Sequence, residues 1–240
     1  MDQLCTGRAS DEIFTTSGTV RNFITVVSGL PRSGTSMMMK MLDCGGMPVL
    51  TDNLRKPDPD NPKGYYELER VKDLQRDNSW LQEARGKAVK IVSPILQHLK
   101  LDNTLKYKII FMLRDIDEIL ASQRKMADRL VQGADSIKDH ILKQNYTRHL
   151  EEIQTWLERK EDVDVMYVNY RDVLSDPLST ATDICKFLDM NLNTRRMAYA
   201  TDSSLYRQRV DKQEDSGFTV QQDAPENEVI MERLKHLGYL

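Results

Sequence analysis

The sequence predicts an α/β domain in three layers, a central, mostly parallel sheet flanked by helices. Three observations carry that prediction. Short β-branched runs alternate along the chain with longer segments of helical period. The first run ends in a glycine-punctuated turn that opens directly into a helical segment. The 240 residues, 40% hydrophobic and 30% charged, suffice for one large core and show no sign of a second.

Each element has its own justification. Residues 1–20 are polar and aperiodic, a lead-in to the domain. Residues 23–27, FITVV, form the first expected strand, because β-branched and aromatic side chains suit a buried pleat. A Met- and Leu-rich helix is expected over 34–44, with Gly45 and Gly46 as its stop. The connection 51–69 follows, holding three of the eight prolines, and its length suits a lid or a substrate-binding loop. Residues 88–92 and 108–113 read as further strands. From 115 to 130, Ile116, Ile119, Leu120, Met126, Ala127 and Leu130 mark one helical face, with Asp115, Asp117 and Glu118 in its first turn. A second long helix is expected from about 136 to 158, and a fourth strand over 163–168. Asp176 is placed to cap, and Pro177 to begin, a helix that runs to Leu188. Beyond 198 the chain turns polar, with a short amphipathic helix near 226–237. The expected organisation is therefore a lead-in over 1–20, one domain over 21–198, and an extension over 199–240 that packs on it.

Charge and cysteine usage narrow the class. A formal net charge of −3 lacks the strongly basic footprint of a nucleic-acid binder. No apolar run is long enough to span a bilayer, and the first twenty residues lack the apolar region of a secretory signal, so no membrane partner and a cytoplasmic location are expected. Cys5, Cys44 and Cys185 are odd in number and unrelated in spacing, which fits free thiols in a reducing compartment. The oligomeric state is left open, a homodimer included.

Chemistry concentrates in residues 28–36, SGLPRSGTS. Gly29 and Gly34 have the spacing of a phosphate-binding loop (P-loop), and Ser36 stands at its hydroxyl position. The loop lysine is missing, however, with Thr35 in its place and Arg32 as a cation three residues earlier. Backbone N–H groups at a strand-to-helix turn converge on an anion, and the helix dipole adds to their pull. Ser33, Thr35 and Ser36 add hydroxyls, and Arg32 adds a planar cation that can grip an anion bidentately. A second signal is Arg114 with Ser122 eight residues later, about two helical turns on. Such a site is open to a nucleotide kinase or NTPase with an atypical loop, to a non-catalytic nucleotide-binding protein, or to another group transferase.

Together these features resemble the sulfotransferases that use 3′-phosphoadenosine 5′-phosphosulfate (PAPS). That family's Arg/Lys-Ser-Gly-Thr-Thr/Ser loop is matched by Arg32, Ser33, Gly34, Thr35 and Ser36, and LPRSGT over 30–35 repeats the wording of its tyrosyl-protein and many bacterial members. The resemblance implies a P-loop-type fold in which the loop holds the 5′-phosphosulfate, while Arg114 and Ser122 hold the 3′-phosphate. Residues 168–174, VNYRDVL, are similar to the family's Tyr-Glu-Asp-Leu element, which implies Tyr170 near the adenine. The likeness runs from about residue 22 to 190. There are departures: Ile116 stands where the family has proline, and no Arg-Lys-Gly run occurs near the C-terminus, where Arg207 and Arg209 read as surface residues.

The resemblance also bears on the base and the cations. Small-molecule members carry Lys-Thr-His with a histidine base, whereas Lys90, Ile91 and Val92 keep the lysine alone. Carbohydrate and tyrosyl-protein members use a glutamate after the loop helix, which implies Glu67 as base, with Glu69 in reserve. His98, His140, His149 and His236 are scattered and read as structural or solvated. A sulfuryl group carries less negative charge than a phosphoryl group, so Arg32 and Lys90 are expected at the leaving oxygen without a metal. The implied reaction moves sulfuryl from PAPS to a hydroxyl or amine of a small-molecule, sugar or peptide acceptor, releasing adenosine 3′,5′-bisphosphate (PAP).

Overall fold

The computed structural model describes residues 23–52, 54–58, 61, 64–101, 105–130, 139–201 and 226–239. Four strands form its sheet: β1 (Phe23–Gly29), β2 (Ala88–Lys90), β3 (Lys106–Leu113) and β4 (Val163–Asn169). All pairings are parallel, in the order β2-β1-β3-β4. The central strands β1 and β3 are almost continuously buried, as apolar strands covered on both faces must be, whereas β4 at the edge is half-exposed.

Side-chain alternation along the central strands builds the three layers. Ile24 and Val26 of β1 and Ile109 and Phe111 of β3 face one core with Trp80, Ile153, Leu157 and Leu234. Val27, Ile110 and Met112 face the other, with Met38, Met41, Ile184 and Met197. The helices follow: α1 (Thr35–Cys44), α2 (Ser93–Leu96), α3 (Ile116–Leu130), α4 (Asp139–Glu158), α5 (Tyr170–Ser175), α6 (Pro177–Leu188), α7 (Thr194–Tyr199) and α8 (Glu226–His236). Helix α8 packs against α4 and α2. Among the described residues no helix is long and apolar enough to cross a membrane.

The predicted three-layer α/β class is the observed one, with small shifts of boundary. The strand expected over 88–92 stops at Lys90, because the chain bends at Val92 to enter α2 with Pro94 in its first turn. The helix expected from about 136 is observed from Asp139, and residues 131–138 lie outside the described set. Asp176 accepts from Ser179 N at 3.0 Å and caps α6 as expected. The lead-in with Cys5, and the segment with Arg207 and Arg209, lie outside the described residues.

Topology decides where a ligand belongs. From β1 the chain crosses through α1 to β2 on one side, while β3 pairs on the other side of β1. The C-terminal ends of β1 and β3 therefore part around a crevice, the usual ligand position in open parallel sheets.

Candidate active site

The glycine loop leaves β1 at this crevice. Gly29 has φ 139° and Gly34 φ 108°, conformations that side chains rarely adopt. Close neighbours add a second constraint. A Cβ on Gly29 would stand 2.6 Å from both the Met112 carbonyl and Ser33 Oγ, and one on Gly34 would stand 2.5 Å from the Tyr170 ring. Arg32 also has positive φ, at 76°, a local strain of order 1 kcal/mol that surrounding contacts must hold. Its Nε donates to Ser122 Oγ at 3.0 Å, its carbonyl accepts from Arg114 Nη1 at 3.0 Å, and Gln123 Nε2 donates to the adjacent Pro31 carbonyl at 3.0 Å. Ser33 Oγ is buried with no hydrogen-bond partner among the described residues, and no side chain caps the N-terminus of α1. Thr35 is buried in the first turn of that helix. The Ser36 hydroxyl donates to the Tyr65 carbonyl at 3.1 Å, which ties α1 to the segment that follows it.

Beside the loop lies the end of β3. Asp115 Oδ1 accepts from Asp117 N at 2.9 Å and Glu118 N at 3.2 Å, starting α3 immediately after Arg114. Arg114, Glu118 and Ser122 recur at four-residue intervals and so line one face. Arg114 Nε donates to Glu118 Oε2 at 3.0 Å, and its guanidinium lies 4.4 Å from the centre of the Tyr170 ring. That ring opens α5 and presses on Gly34, so the loop, the Arg114–Ser122 pair and Tyr170 meet in one place.

On the opposite side of the loop sits a second group of charges. Lys90, buried at the end of β2, donates to the Tyr65 carbonyl at 2.6 Å and to Glu67 Oε1 at 3.1 Å. Burial pulls its pKa down to about 8, with the Glu67 carboxylate pulling the other way. Glu67 also accepts from Arg55 Nη1, at 3.3 and 3.4 Å. The Arg55 guanidinium is stacked 3.8 Å from the Tyr65 ring centre and 5.0 Å from that of Tyr239, and donates to the Leu237 carbonyl at 3.0 Å. Burial pushes the Tyr239 phenol up against the opposing pull of Arg32, which hydrogen-bonds to it.

A cavity of about 400 Å³ opens beside this group, lined by Asp52, Leu54, Arg55, Glu67 and Glu69 among others. Glu69 stays at its rim, 58% exposed and paired with Lys72 at 3.0 Å. Thus Glu67, and not Glu69, stands beside Lys90. Arg55 and Tyr239 were not singled out from sequence: one is among several charges of an irregular loop, the other follows a short terminal helix. His149 lies outside this group, with Nε2 3.0 Å from Ser93 Oγ, and burial pulls its pKa down to about 4. Among the described residues no three His, Cys, Asp or Glu side chains stand together as metal ligands.

The Sulfotransferase domain family model matches residues 24–232 of the chain. No curated protein sequence matches it. Solved structures similar to it include the sulfotransferase domain of the Synechococcus PCC 7002 olefin synthase, 15% identical with a TM-score of 0.47 over 89% of this chain and 94% of that one. A sulfotransferase of Mycobacterium tuberculosis is 17% identical with a TM-score of 0.47 over 91% and 77% of the two chains. A mouse sulfotransferase complexed with PAP is 16% identical with a TM-score of 0.44 over 80% and 69%.

Proposed function

The chain belongs to the sulfotransferase domain family, and from that premise we propose that it moves a sulfuryl group from PAPS to a hydroxyl or amine acceptor and releases PAP. One observation carries the reading. The 3.0 Å hydrogen bond from Arg32 to Ser122 joins two motifs ninety residues apart in sequence into a single crevice. The residues present fit an anionic donor: Ser33 Oγ is buried without a partner among the described residues, and α1 has no side-chain cap.

In this reading Arg32, Ser33, Gly34, Thr35 and Ser36 hold the 5′-phosphosulfate, Arg114 and Ser122 the 3′-phosphate, and Tyr170 flanks the adenine. PAPS supplies an activated sulfuryl group on a phosphate leaving group. Glu67 takes the proton of the acceptor as its oxygen or nitrogen bonds to sulfur and the sulfur–oxygen bond to the phosphate breaks. Arg32 and Lys90 face the negative charge that develops on the departing oxygen. The ion pairs of Glu67 with Lys90 and Arg55 support this role, because they hold the carboxylate in one orientation at the wall of the neighbouring cavity.

The neighbouring cavity of about 400 Å³ has the dimensions of a small-molecule site, which supports a small acceptor over a polymer. We read 21–198 as the catalytic domain, with 199–240 as an extension on it. Three cysteines, odd in number and at unrelated spacings, support a reducing, cytoplasmic setting. Incubation with PAPS carrying labelled sulfate and a panel of hydroxyl and amine acceptors tests the reading. Labelled product with equimolar PAP is expected; a protein that binds PAP yet labels no acceptor of the panel would count against it.

A further inference from the structure

We propose that Arg171 is a charge-compensating residue of the nucleotide site, neutralising Glu118 so that Arg114 can face the 3′-phosphate. This rests on the sulfotransferase reading and extends it to residues with no assigned role. The difficulty it resolves lies on α3. Between Arg114, which precedes α3, and Ser122 within it, the expected 3′-phosphate pair, comes Glu118, a carboxylate with 0% exposure. A buried negative charge there repels a phosphate and competes with it for Arg114.

A second cation answers it. Arg114 Nε takes one oxygen of Glu118 at 3.0 Å, and Arg171 Nη2 takes the other at 2.5 Å. Two guanidiniums on one carboxylate leave a net positive charge, so the cluster attracts an anion. Arg171 is held for this task. Asn169 Oδ1 accepts from its backbone N–H at 2.9 Å, fixing the start of α5, and Tyr170 beside it lies beneath Arg114. One short helix thus delivers both the ring that supports Arg114 and the charge that compensates Glu118. Two acids at the start of α3 are engaged elsewhere: Asp115 caps the helix, and Asp117 pairs with Lys143 at 3.0 Å. Arg171 is 43% exposed, so it borders solvent at the edge of the cluster.

Calorimetry with PAP and with 5′-AMP, which lacks the 3′-phosphate, tests this. Arg171→Ala should weaken PAP binding roughly 10- to 100-fold, the worth of a charged contact, and leave 5′-AMP affinity unchanged. Arg171→Lys, which keeps the charge, should retain most of the PAP affinity. Adding Glu118→Gln to Arg171→Ala should restore PAP binding, since the charge in need of compensation is gone; a purely structural arginine would show no such rescue. Unchanged PAP affinity in Arg171→Ala, equal losses of PAP and 5′-AMP, a lysine variant as weak as the alanine one, or failure of the rescue would each overturn the proposal. A wild-type chain with no preference for PAP over 5′-AMP would instead overturn the reading of the nucleotide end, and this inference with it.

Discussion

Lys90 Nζ stands 3.1 Å from Glu67 Oε1, with only 2% of the lysine side chain reaching solvent. The pair joins the cation expected at the leaving oxygen to the base expected at the acceptor. Burial pulls Lys90 down to about 8 from its ordinary 10.5, so its ammonium is present below that pH and lost above it. Because kcat/KM reports groups of the free enzyme, it should fall as pH rises through about 8. Lys90→Arg, a cation at all accessible pH values, should move that limb upward. A profile that is the same in both proteins would rule out a role for the lysine charge.

Glu67→Gln keeps the shape of the side chain and removes its ability to take a proton. Transfer of labelled sulfate should drop by roughly 10²–10⁴-fold, while PAP affinity by calorimetry stays as in the wild type. Turnover at the wild-type rate would remove Glu67 from the base role.

Gly34 and Gly46 provide a matched pair. Both have positive φ, 108° and 96°, yet a Cβ on Gly34 meets the Tyr170 ring at 2.5 Å, whereas one on Gly46 meets nothing within 4 Å. Both alanine variants should lose roughly 1–3 kcal/mol of stability to backbone strain. Gly34→Ala alone should also lose PAP binding. Urea unfolding and calorimetry on both variants would separate the effects, and retained PAP affinity in Gly34→Ala would argue against a loop that cradles the nucleotide.

Much of this was legible in the sequence because it is local. FITVV, the two glycines and the Met-rich segment each announce their own element, and the eight-residue step from Arg114 to Ser122 follows from helical pitch. What escaped depends on partners distant in sequence. Glu118 reads as an acid favoured by the helix dipole, yet it is fully buried and binds two arginines, one of them 53 residues away. Arg55 and Tyr239 are 184 positions apart, and nothing in either segment foretells that they stack beside Glu67. The strand over 88–90 came out shorter than its apolar run because the bend at Val92 into a proline-bearing helix overrides β propensity.

His149 supplies a test of stability apart from the site. Its pKa falls from 6.5 to about 4 on burial against Ser93, so the folded chain keeps it neutral. Between those values the unfolded chain takes up a proton that the folded chain refuses, and stability is lost as pH falls through that window. The loss amounts to about 3 kcal/mol from this group. His149→Gln should flatten that part of the pH dependence of urea unfolding; parallel curves for the two proteins would show that the histidine is protonated when folded.

The central claim is that the glycine loop and the Arg114–Ser122 pair form a site for a 3′-phosphorylated nucleotide. Calorimetric titration of the wild-type chain with PAP in the absence of metal, beside Mg-ATP, measures this most directly. PAP should bind without magnesium, and Arg114→Ala should weaken it by about 1.5–3 kcal/mol, the loss of a charged hydrogen bond. Tight binding of Mg-ATP with none of PAP would contradict it.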